Sequence, residues 1–510
     1  MPIRVKTYPL DHWSPDLGDL GEGHLTVCQH VLPVDGGWVP DPEVTAIDGM
    51  PTPILGAHVH EREGTSILYV GTTTGLFRIL PGNRDVVVEA TRESGPYAAT
   101  SWDFASYGDA VIAVAPEEPP QILRPSSLAF EDGPNPEYEQ PHARFVEILG
   151  NRAVLGVISN TSYAEEVDTS MLALSATDDI SVFGTPEKPK GKRSGNVPVN
   201  DDAGGITGLS GGMDFGYVFK RERIYIMRPN STWGIDLGTA ISYTHGTSHP
   251  RSIVRVGTDV YFWSARGPAV VRAGRGVEEL AVGRLWRTIA ETAWPNSDPD
   301  LTYADPFEVL GAWDEMTATV NWFYRAEGGI VQVIFEPTTS RFSACGRQVL
   351  APDEDLGDLT FVVSQEPEEV PLRMFAGLQL GIGTTLLGWA GSRGPARRWV
   401  GRPTFRTPFF ELEDRQVVVN GVRLRYQLTE GGQAPSIAVR VRSRMYEGAE
   451  IYTHESSSET PGAVNDHGFI QLDQRSEARQ HEITVSLDQV DDVLSIAPTL
   501  EIRYSVGGRA

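Results

Sequence analysis

Two histidines one residue apart give the first hint of chemistry: His58-Val59-His60-Glu61 lies just before an apolar stretch, SILYVGTTTGLFRIL, at residues 66–80. In a strand, residues two apart share a face, so both imidazoles would point the same way, a spacing that can chelate zinc. Two ligands do not make a site, and ordinary strand histidines fit the pattern as well. His24 and His30 stand six apart, and no metal site is predicted there. Cys28 and Cys345 have no CxxC-like neighbour and read as two buried thiols. A glycosidase would need two carboxyls in opposed environments. The pairs on offer are Glu165-Glu166, Asp178-Asp179, Asp201-Asp202 and the run Asp353-Glu354-Asp355. All lie in polar loops, where chain neighbours point apart, and read as solvated surface. The sequence contains no HExxH helix or GxxxxGK[ST] phosphate loop. The repeated S-x-D-x-G-x-T-W boxes of sialidase-like propellers are missing too, residues 230–238 sharing only Thr232-Trp233. No catalytic residue, cofactor or enzymatic activity is therefore predicted.

The one conspicuous charge cluster is basic. Lys188, Lys190, Lys192 and Arg193 fall within six residues of a chain whose formal net charge is −25. Such a run is read either as a solvated loop tip or as a contact to the acidic face of a partner or to phosphate. We take the four as the candidate partner contact. The acidic surplus, 68 Asp and Glu against 43 Lys and Arg, argues against tight non-specific binding to phosphate backbones.

These residues must be positioned by strands. Residues 252–274, SIVRVGTDVYFWSARGPAVVRAG, alternate around Gly257-Thr258-Asp259 and turn again at Arg266-Gly267-Pro268, which predicts an antiparallel meander. Similar units have turns at Gly108, Gly150, Arg221 and Asp314, and a further unit is read at residues 372–389. The turn spacings fit a unit of about 40 residues with two insertions, the period of a propeller blade. A meander cannot bury both faces alone, and radial stacking solves that while protecting edges. The predicted fold is all-β, a β-propeller of six or seven irregular blades with a C-terminal β-sandwich; two successive β-sandwiches are the competing architecture. One helix is expected at residues 283–294, GRLWRTIAETAW, packed outside two blades.

The domains read as an N-terminal arm and entry strand (1–50), a propeller (51–400) with an inserted loop near 161–205, and a platform-like sandwich (401–510). In the sandwich, Arg440, Arg442 and Arg444 should line one strand face, and residues 453–468 are read as a polar, mobile loop. The N-terminus lacks a basic segment followed by an apolar core, and no run of about 18 apolar residues occurs. Neither a secretory leader nor a membrane span is expected.

Four patches carry a resemblance. WSPDLGDLGEGHLTVCQHVLPVDGGWVP at 13–40 is the first, and WDFASYGDAVIAVAPEEPPQIL with ARFVEILGNRAVLGV the second. GITGLSGGMDFGYVFKRERIYIMR with VGTDVYFWSARGPAVVRAG is the third. The succession VGRLWRTIAETAW, Ala304-Asp305-Pro306 and TVNWFY is the fourth. In the order of arm, paired blade strands, central blades and helix, the sequence resembles the tail nozzle, or tail hub, family of short-tailed bacteriophages over residues 10–345. The polar loops at 185–205 and 453–468 have no counterpart there. The resemblance implies a virion tail protein assembled in the host cytoplasm, a homo-hexameric ring below the connector. It would contact an adaptor ring above and fibres or spikes at the side, with DNA passing through its lumen without specific binding. The alternatives are a carbohydrate-active propeller enzyme and a glycan-binding adhesin.

Overall fold

The computed structural model describes the chain apart from residues 1–2, 18–22, 42–43, 48–52, 63–64, 80–86, 134–139, 160–166, 184–193, 233, 274–275, 294–308, 316, 327–328, 348–358, 366–376, 383–384, 390–401, 460–463, 466, 473–476 and 507–510. Its strands pair into seven four-stranded antiparallel blades. Blades one to six begin with Ile54–Arg62, Asp103–Tyr107, His142–Leu149, Ile206–Ser210, Val254–Val256 and Leu310–Asp314. Blade seven takes three strands from Leu359–Gln365, Gly377–Ile382 and Thr385–Trp389, and its fourth, Val44–Ile47, from the other end of the chain. Closing the circle with a strand from the opposite terminus ties the last blade to the first, so the ring cannot open without breaking a ladder.

The meander read around Gly257 is blade five, with a fourth strand, Gly276–Glu279, on its outer edge. Two details differ from the sequence reading. Arg221 lies in the turn joining the second and third strands of blade four, Gly216–Lys220 and Ile224–Asn230, not the first and second. Within 161–205, Asp168–Leu174 and Gly195–Pro198 are the outer strands of blade three.

Neighbouring blades meet through aromatic side chains. Trp263, Trp322, Phe262 and Tyr324 are all buried, and Trp263 meets Trp322 edge-on at 6.0 Å between blades five and six. Between blades one and two, Trp102 fits against Gly56 and Gly71, where an added Cβ would lie 2.4 Å from the tryptophan carbonyl or ring. Only glycine permits that approach. The helix spans Trp286–Ala293. Asp16 caps its start, accepting the Arg287 and Thr288 N–H groups at 2.7 and 2.9 Å. Trp286 covers Gly267 of blade five.

The residues at both ends of the chain build one sandwich. One sheet runs Ile470–Gln471, Val417–Leu428, Val493–Val506, Gly37–Pro40, Val31–Val34, and Ile3–Pro9 also pairs with Val493–Val506. The other continues blade six without a break: past Arg341–Arg347 come Val27–Gln29, Thr404–Arg406, Gln480–Asp488, Ser436–Arg444 and Tyr452–Ser457. The strands between Ile3 and Pro40 are thus interleaved with those between Thr404 and Val506 instead of forming a separate arm, while Val44–Ile47 goes to blade seven. Part of the expected loop at 453–468 is the strand Tyr452–Ser457. Cys28 is a buried free thiol, its ionisation pushed well up by burial.

Candidate functional site

The first strands of the blades surround the propeller axis and bring ionisable groups to the seams between blades. At the seam of blades one and two, His58 Nε2 and His60 Nδ1 both meet Ser106 Oγ, at 2.6 and 2.9 Å. The two imidazoles do share a side of their strand, and they share a serine hydroxyl. Burial first, then the neighbouring His60, pulls His58 down to about 4, so it stays neutral near pH 7. At the next seam, Asp103 Oδ2 accepts the Val146 N–H at 2.9 Å. Burial raises Asp103 to about 6 despite that bond and the influence of Arg251. Glu147, one seam further, is pushed up to about 8 by burial and then by Asp103, against backbone N–H groups of Gly211 and Ile148. Arg255 of blade five donates to the Gly211 and Phe215 carbonyls and stacks on the Phe215 ring at 4.9 Å. Arg251 reaches from before blade five to the Leu55 carbonyl of blade one, 3.0 Å away.

This belt braces the ring. Each named group is engaged by an adjacent blade, and Arg251 joins blades that are far apart in sequence. Chemically it holds a proton on Glu147 at neutrality, while Asp103 releases its proton near pH 6. Among the described residues no group of three or more His, Cys, Asp or Glu is placed to hold a metal ion.

The acidic pairs nominated from sequence fall elsewhere. Asp178 accepts Asn151 Nδ2 and Asp179 accepts Ser181 Oγ, as turn residues do. Asp201 is not a solvated loop residue: the fully buried Lys220 donates to it at 2.6 Å, and Arg223 and Tyr225 also bind it. Burial opposes its ionisation, but the bonds from Lys220 and Tyr225 outweigh that and hold its carboxyl well below the usual range. Glu165-Glu166 and Asp353-Glu354-Asp355 lie outside the described residues, as do Lys188, Lys190, Lys192 and Arg193. Sequence reasoning missed Asp103 and Glu147. The available signal was a carboxylate in mid-strand between apolar residues, FVEIL.

A second feature is a groove of about 520 Å³ between blades two and three. Thr100, Ser101, Ser159 and Thr169 give it hydroxyls, and Arg144 and Glu117 one charge of each sign. Glu117 is already bonded to the Thr100 hydroxyl at 2.6 Å.

Strand pairing alone therefore defines a seven-bladed β-propeller joined to a β-sandwich. No family model matches the chain, and no curated protein matches it. Among solved structures it is similar to the computationally designed Ika8 protein, at 12% identity over 74% of this chain and 97% of that one, TM-score 0.39. BamB from Moraxella catarrhalis is similar at 12% identity over 77% and 99%, TM-score 0.35. The Neurospora crassa Pan2 WD40 domain is similar at 9% identity over 71% and 98%, TM-score 0.41. No helix among the described residues is long and apolar enough to cross a membrane.

Proposed function

We propose that the chain is a structural subunit of a phage tail nozzle, a ring that surrounds a DNA exit conduit. The observation that carries this reading is the continuous sheet linking blade six to the sandwich, with both ends of the chain woven into the same domain. A body in which propeller and platform share one hydrogen-bonded sheet transmits force without a hinge, which suits a load-bearing ring part. Arg251 spans from before blade five to the Leu55 carbonyl of blade one, which favours a lumen formed between copies over one through the propeller axis. The charge of −25 suits a wall past which a polyanion slides without being held. The motif resemblance adds the adaptor ring above and the fibres or spikes beside it as partners.

The test is the sedimentation mass of the purified full chain, alone and with the adaptor ring of the same virion. Ring-sized particles that join the adaptor are expected; a chain that remains monomeric in both samples contradicts the proposal. The groove between blades two and three favours a second reading, a glycan-binding module, since hydroxyls with one cation and one carboxylate match a polyhydroxylated ligand. Under that reading a glycan array gives a hit that Arg144→Ala abolishes.

A further inference from the structure

Two strand edges of the sandwich lack a neighbour among the described residues, and their chemistries are opposite. Ile3–Pro9, IRVKTYP, pairs with Val493–Val506 on one side only. Its charged residues are Arg4 and Lys6, and Ile3 and Val5 are 56% and 55% exposed, unusually high for apolar strand residues. Tyr452–Ser457 ends the long sheet, pairing with Ser436–Arg444 only. Residues 445–459 around it carry Glu447, Glu450, Glu455 and Glu459 with no Lys or Arg, and expose Tyr446, Ile451 and Tyr452.

The two edges lie on opposite flanks. Tyr8 packs on Phe410 at 4.6 Å and Arg4 bonds Glu413 at 2.7 Å, which sets the first strand over Phe410–Glu411. That short strand pairs with one side of Gln480–Asp488; Ser436–Arg444 occupies the other side, and Tyr452–Ser457 lies beyond it. The edges therefore lie in opposite sheets of the sandwich and are offset laterally by three strand spacings, roughly 14 Å.

We propose that the Ile3–Pro9 edge of one copy adds to the Tyr452–Ser457 edge of the next copy of this chain, joining the two sandwiches head to tail. This rests on the ring reading above and assigns its interface. The lengths match, seven residues against six, and main-chain pairing would occupy both open ladders while covering the exposed apolar side chains. Opposite charge selects the partner. Pairing either edge with its own copy would set Arg4 and Lys6, or the glutamates, against like charges, which is the usual protection of an edge strand. Pairing the two different edges brings unlike charges together. The exposed pairs Arg4–Glu413 and Arg440–Glu455 can exchange for contacts between copies at little cost. Such an interface is heterologous, and it generates a ring where the rotation closes.

The experiment is sedimentation velocity on the full chain, comparing wild type, the Arg4→Glu/Lys6→Glu variant, the Glu450→Lys/Glu455→Lys variant, their equimolar mixture, and the four-site combination. Each charge-reversed variant alone should dissociate at about tenfold or more higher protein concentration than wild type. The mixture and the combination should both reassemble, because each restores unlike charges, and reassembly also shows that the variants fold. A wild-type ring unaffected by either reversal, or dissociation that neither the mixture nor the combination repairs, overturns the edge assignment and leaves the ring reading standing. A wild type that is monomeric throughout, both alone and with the adaptor ring of the same virion, overturns both.

Discussion

Glu147 stands inside FVEIL, where a carboxylate is costly unless something meets it. Its neighbours, Asp103, Gly211 and Arg255, come from three other blades. The oddity was therefore legible in the sequence, and the explanation was not, because contacts between blades join residues about 40 to 110 positions apart. A consequence follows for stability. Folding raises Glu147 from 4.5 to about 8 and Asp103 from 3.8 to about 6, so the folded chain holds protons that the unfolded chain releases. Their contribution is complete below about pH 4 and is lost as pH rises through 6 and then 8. Urea unfolding of Glu147→Gln should fall less steeply than wild type between pH 5 and pH 8; identical slopes would contradict the assignment. Trp322, buried with its Nε1 donating to the Ser252 carbonyl at 3.1 Å, anchors the seam of blades five and six. Trp322→Ala should cost about 3–5 kcal/mol in equilibrium unfolding, and a loss under about 1 kcal/mol would refute its role.

At the scale of elements, alternation gave the strand faces well. Arg440, Arg442 and Arg444 do lie along one face, bonded to Glu455, Glu482 and Gln480. The ring of Phe409, which both Arg442 and Arg444 cover at 5.5 and 3.9 Å, comes from another segment and left no local sign. Likewise no periodicity announces that Val44–Ile47 belongs beside Trp389, since that pairing spans nearly the whole propeller. The closing strand predicts an alternating sensitivity. Successive residues point their N–H groups to opposite sides, so only one of Thr45→Pro and Ala46→Pro removes a ladder bond. Thermal unfolding should drop for one variant and stay near wild type for the other; two equal responses would argue against this closure.

On the scale of the whole molecule, composition announced an all-β chain, and repeated turns at Gly108, Gly150 and Gly257 marked three blades at their first hairpins. The joining of the strands between Ile3 and Pro40 with those between Thr404 and Val506 was hidden, because strand order in a sheet is not written in any local pattern. The candidate contact Lys188, Lys190, Lys192 and Arg193 is tested at this scale too. Replacing all four by Ser should make ring assembly less sensitive to salt, as expected for exposed cations facing an acidic partner. Assembly unchanged with DNA binding lost would instead assign the loop to DNA. The central claim, that copies of this chain surround a conduit, is tested most directly by imaging the purified full-length protein by electron microscopy and averaging the particles. The account predicts closed rings with a central opening between subunits, each subunit showing its own filled propeller at the periphery. Averages showing only separate single propellers, at concentrations well above those of assembly in related samples with the adaptor present, would contradict it.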